Sequence, residues 1–91
     1  MAQVRIPTPL RALTNNARVV QAAGRTLADV VDDLERQFPG IRARLVDGDG
    51  AVHAFINIFV NDEDIRFREG LATPVPEPAD VSIVPAMAGG A

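Results

Sequence analysis

Thr26-Leu27-Ala28-Asp29-Val30-Val31-Asp32-Asp33-Leu34-Glu35-Arg36-Gln37-Phe38-Pro39-Gly40 is the stretch from which the fold is read. Leu27, Val30, Val31, Leu34 and Phe38 stand at i, i+3, i+4, i+7 and i+11, one apolar stripe of an amphipathic helix, while Asp29, Asp32, Asp33 and Arg36 lie mostly off it. Thr26 and Asp29 have the spacing of a capping box with Asp in place of Glu, and Pro39-Gly40 stops the helix. The other segments read mainly as strands, so this one long helix has to cover a sheet.

Upstream, Val4-Arg5-Ile6 alternates apolar and polar residues before Pro7 and Pro9, which fits a short first strand. Thr14-Asn15-Asn16 is turn material, and Arg18 to Ala22 reads as a second strand forming a hairpin with the first. Downstream, Ile41 to Val46 adds a short helical turn. Asp47-Gly48-Asp49-Gly50 invites comparison with a calcium loop, but an EF-hand needs a bidentate Glu at its twelfth position, which is Ile58 here. No metal site is expected.

Ala54-Phe55-Ile56-Asn57-Ile58-Phe59-Val60 is the strongest strand, being rich in β-branched and aromatic residues. Ile56, Ile58 and Val60 share one face, while Phe55, Asn57 and Phe59 share the other. Only the second face carries a polar residue, so the first is assigned to the core, leaving Phe55 and Phe59 as candidates for an exposed partner-binding patch. Asn61-Asp62 turns the chain into a further strand, Ile65-Arg66-Phe67. Pro74, Pro76 and Pro78 make an irregular connection, and Val81 to Pro85 is the last strand, with Val81 and Ile83 inward.

The order strand, strand, helix, strand, strand, strand predicts an α+β domain with a mixed sheet of four to five strands. Residues 1–85 form this domain and residues 86–91 a flexible tail containing Ala88, Gly89 and Gly90. With 91 residues there is room for one core only.

Composition excludes several functions. The net charge is -3, and the nine basic residues are arginines scattered along the chain, so no basic stripe offers a footprint for nucleic acid. There is no cysteine, which removes disulfides, thiolate metal sites and a cysteine nucleophile; any sulfur chemistry must use sulfur brought from outside. No secretory h-region or membrane span is visible, so a cytoplasmic protein is expected. His53, the only histidine, reads as an incidental loop residue, and Ser82 and Thr73 have no visible activating base. No active site is expected within the chain.

Val60-Asn61-Asp62-Glu63-Asp64, Val81-Ser82-Ile83-Val84-Pro85 and the terminal Gly89-Gly90 together resemble the ubiquitin-like sulfur-carrier family, which includes the molybdopterin synthase small subunit and the thiamin sulfur carrier. The resemblance covers almost the whole chain and is closest to the cysteine-biosynthesis branch, through Phe55 to Phe67, Gly70 to Thr73 and Ile83 to Gly90. It implies a β-grasp fold with the first and last strands as central parallel neighbours. It also implies a carrier, not an enzyme, which binds no cofactor stably. A ubiquitin-activating-type adenylyltransferase and sulfurtransferase uses ATP and magnesium to adenylate the Gly90 carboxylate, sulfide equivalents displace AMP, and the thiocarboxylate passes to a sulfur-accepting synthase.

Glycine suits that terminus because it has no Cβ to block a narrow channel. At about 3.3 Å per extended residue, Met87 to Gly90 would carry the reactive carbon roughly 13 Å beyond the fold. Ala91 departs from the family pattern, and the resemblance implies either a precursor from which a metalloprotease removes this residue, with cleavage before Ala91, or a full-length form that is inactive; the metalloprotease has release of the product as its alternative role. Phe59, Val84 and Met87, extended by Phe55, are the candidates for the surface gripped by the activating enzyme, with core packing as the alternative. Asp62-Glu63-Asp64 has two readings, steering of a basic partner or a solvated turn. Two other functions stay open: a protein modifier joined through Gly90 to lysines of targets, and the small subunit of a molybdopterin-synthase-like complex.

Overall fold

The computed structural model describes residues 1–48, 50–54 and 56–85. A five-stranded mixed sheet runs in the order β2-β1-β5-β3-β4, with β1 at Ala2–Arg5, β2 at Val19–Ala22, β3 at Ile56–Val60, β4 at Glu63–Asp64 and β5 at Ala79–Pro85. β1 and β5 pair in parallel, Val4 opposite Val81, and all other neighbours are antiparallel. The parallel pair needs a long connection, and helix α1 (Leu27–Gln37) lies within it. This is the expected α+β, β-grasp arrangement.

Helix α1 buries the stripe read from the sequence: Leu27, Val30, Val31 and Leu34 are in the core, with Phe38 packed at its margin. They meet Val4, Ile58, Val60, Val81 and Ile83 from one face of the sheet. The Thr26 side chain accepts a hydrogen bond from the Asp29 N–H at 3.3 Å and caps the first turn. Gly40 takes a φ of 101°, where a Cβ is disfavoured, and leads into helix α2 (Ile41–Leu45), which buries Ile41 and Leu45.

Two connections differ from the sequence reading. Between β1 and β2 the chain forms a 3-10 helix, Thr8–Thr14, before Asn15 and Asn16 turn it with positive φ. Ile65-Arg66-Phe67 is a 3-10 helix instead of a strand, and the two-residue β4 precedes it at Glu63–Asp64. The Asp64 carboxylate explains the change, because it accepts from the Arg66 N–H at 2.9 Å and caps a helical turn where strand pairing would have continued.

Candidate functional site

The sheet face opposite α1 remains open, and the alternation of β3 and β5 puts two of the expected docking residues on it. Ile58 and Val60 are buried on the core side, with Phe59 half-buried on the other. Val81 and Ile83 point inward, leaving Ser82 half-buried and Val84 40% exposed on the open side. Register brings these residues together: Phe59 faces Ser82 and Val84 faces Asn57, so Phe59 and Val84 are diagonal neighbours, a separation of about 7–8 Å in such pairs. Across the sheet the same row continues from Ser82 to Arg5 and Val19, the latter 44% exposed. Val84 lies one residue before the end of β5, so this surface reaches the point where the chain leaves the sheet.

Phe55, Met87, Ala88, Gly89, Gly90 and Ala91 lie outside the described residues. Of the expected contact residues, the structure therefore joins Phe59 with Val84. Phe67, at 84% the most exposed large apolar side chain among the described residues, is not a docking candidate in the sequence, where it reads as part of a strand. Val19 is not distinguished by the sequence either, because Val19 and Val20 are adjacent valines on opposite faces of the strand and the period alone does not tell which faces the core.

The acidic turn is largely offset by its neighbours. Arg66 Nη2 lies 2.9 Å from Asp64 Oδ2, and that guanidinium, with the Arg66 N–H, holds the Asp64 carboxyl below its ordinary pKa. Glu63 pairs with Arg68. Asp62 stays exposed at a positive-φ turn position. A strong field for steering a basic partner is not built here.

The remaining polar residues serve the fold. His53 Nε2 lies 3.0 Å from the Ala43 carbonyl, which can only accept, so this ring nitrogen carries the proton and ties the loop to α2. Thr73 is buried; its hydroxyl accepts from the Glu69 N–H at 3.1 Å and its carbonyl from the Leu27 N–H at 3.0 Å. Asp47 closes its own turn: its Oδ1 accepts from Ala51 at 3.2 Å and its N–H reaches the Ala51 carbonyl at 2.8 Å. Among the described residues no three His, Cys, Asp or Glu side chains gather as metal ligands would. No helix of those residues is long and apolar enough to cross a membrane.

Comparison with known proteins agrees with this geometry. A family model described as the ThiS family matches residues 4–90. The sulfur carrier protein CysO of Mycobacterium tuberculosis is 49% identical over 89 residues, covering 96% of each chain. A chain in the crystal structure of the Amycolatopsis orientalis BexX/CysO complex superposes with a TM-score of 0.93 at 44% identity, over 99% of this chain and 100% of the other. The small archaeal modifier protein 3 of Haloferax volcanii is 34% identical over 65 residues, 71% of this chain and 70% of its own.

Proposed function

The chain belongs to the ThiS family, and from that membership we propose that it is a sulfur carrier whose Gly90 carboxylate is activated and converted to a thiocarboxylate. The carboxylate oxygen attacks the α-phosphorus of ATP, releasing pyrophosphate and leaving an acyl adenylate on a partner adenylyltransferase that holds the magnesium. A sulfide equivalent then attacks the acyl carbon and AMP leaves, taking the C–O bond electrons. The thiocarboxylate sulfur passes to a synthase that makes cysteine or another sulfur-containing product.

The observation that carries this reading is the open sheet face that brings Phe59 of β3 beside Val84 of β5, the strand that leads to Gly89-Gly90. A partner seated on that face would receive the terminus without remodelling the core. The similarity to CysO, and to a chain in a complex titled BexX/CysO, supports both the cargo and the existence of a protein partner.

The test is incubation of the chain ending at Gly90 with a CysO-activating adenylyltransferase, ATP and sulfide. Intact mass spectrometry is expected to show exchange of one oxygen for sulfur. The chain ending at Ala91 is expected to remain unchanged until a metalloprotease removes that residue, and Gly90→Ala is expected to stop adenylation while the fold persists. Sulfur loading on Ala91 would refute the trimming step, and normal adenylation of Gly90→Ala would refute the role of Gly90.

A second reading, attachment of Gly90 to target lysines, draws support from the similarity to an archaeal modifier protein. Conjugates that survive reducing agents would favour it over sulfur transfer.

A further inference from the structure

The register of the sheet sets one residue from each strand in a row across the open face: Val19 of β2, Arg5 of β1, Ser82 of β5, Phe59 of β3 and Asp64 of β4. Val84 stands diagonally beside Phe59, nearer the exit of the chain from β5. Two charges stand in this row, and they differ in kind. Asp64 is already held by Arg66, at 2.9 Å. Arg5 is exposed, and its side chain forms no salt bridge among the described residues, not even with Asp80, which shares its face two residues before Ser82.

This cation lies between Val19 on one side and Phe59 and Val84 on the other. A purely apolar partner covering all of them would strip water from the guanidinium and return nothing for it. We propose that the partner seated on this face presents a carboxylate side chain to Arg5, ringed by apolar residues that cover Val19, Phe59 and Val84. This rests on the reading that a partner takes the terminus from the open face, and it adds the chemistry by which that partner is recognised.

The register favours a carboxylate in particular. Arg5 and Ser82 are opposite each other on neighbouring strands, a spacing of about 4.8 Å, so the guanidinium and the hydroxyl can donate together to the two oxygens of one carboxylate. A phosphate dianion would call for a second cation, and no other strand residue of this face is basic. Arginine and aromatic side chains are the anchors through which protein interfaces gain most of their affinity. Phe59 then supplies contact area, while Arg5 selects the partner by charge.

Binding of the chain ending at Gly90 to a CysO-activating adenylyltransferase is measured by calorimetry without ATP or sulfide, so that loading chemistry plays no part. Arg5→Gln is expected to weaken binding by about tenfold or more and to flatten its dependence on salt, with the thermal midpoint unchanged. Arg5→Lys keeps the charge without the planar fork and should recover part of the affinity. Phe59→Ser reports on the face itself, and Arg18→Gln on an exposed arginine outside the row. Weakening by Phe59→Ser alongside parent affinity in Arg5→Gln overturns the carboxylate contact and leaves docking on the face standing. Parent affinity in both variants overturns the docking as well as the contact. Equal weakening by Arg5→Gln and Arg18→Gln overturns the contact too, because it shows general attraction between charges.

Discussion

At Gly24 the main chain passes so close to α1 that an added Cβ would sit 2.6 Å from the Val30 nitrogen and 2.7 Å from the Asp29 Cβ. Two of the three nearest atoms are helix backbone, which cannot swing away as a side-chain end would. Gly24→Ala is therefore expected to lose about 1–3 kcal/mol of stability, as overpacking does, measured by urea denaturation. Asp33 acts at the same seam. Its carboxylate accepts from the Ala23 N–H at 2.9 Å and pairs with Arg36, and these contacts, led by the Ala23 bond, lower its pKa. A carboxyl with a lowered folded-state pKa contributes stability above its unfolded value of about 3.9, and the contribution is lost as pH falls through the folded value. Thermal midpoints followed from about pH 6 down to about pH 2 should therefore fall less steeply for Asp33→Asn than for the parent chain. An unchanged acid limb would show that Asp33 is not coupled to folding.

Among the elements, α1 and β3 carry the largest predictable effects. Leu34 is 1% exposed between helix and sheet, so Leu34→Ala should cost about 2–5 kcal/mol through lost burial and a residual cavity. Asn57 presents the opposite case: its Oδ1 is buried with no hydrogen-bond partner. Asn57→Leu, similar in shape, is expected to raise stability by about 1 kcal/mol, and a fall in the denaturation midpoint would count against this account.

The same elements explain what sequence made visible. Helix α1 was legible because its apolar stripe, its Thr26 cap and its Pro39-Gly40 stop all agree. The inward set of β3 was legible because one polar residue broke the symmetry of its faces. The 3-10 helix at Ile65–Phe67 was not, because three residues alternating apolar and charged satisfy a strand pattern while a side-chain cap from Asp64 decides the outcome locally. The diagonal approach of Phe59 to Val84 depends on register between segments more than twenty residues apart, which no local pattern specifies.

At the scale of the molecule, the radius of gyration of 11.9 Å matches the roughly 12 Å expected of a compact chain this long. That compactness rests on joining the two ends of the sequence, since β1 lies between β2 and β5. Removal of residues 1–5 would leave β2 without its sheet neighbour and expose the core edge of β5. The shortened chain is expected to lose its cooperative thermal transition and its amide dispersion; a sharp transition near the parent midpoint would show that the sheet tolerates losing its second strand.

The parallel pairing of β1 with β5 also has a mechanical meaning. Ala2 sits opposite Ala79 while the chain leaves β5 at Pro85, at the other end of the pair. A pull on the terminus against the N-terminal end loads the hydrogen bonds between these strands in shear, all together, instead of peeling them one at a time. Force applied between those two ends therefore acts along the stiffer direction of the strand pair.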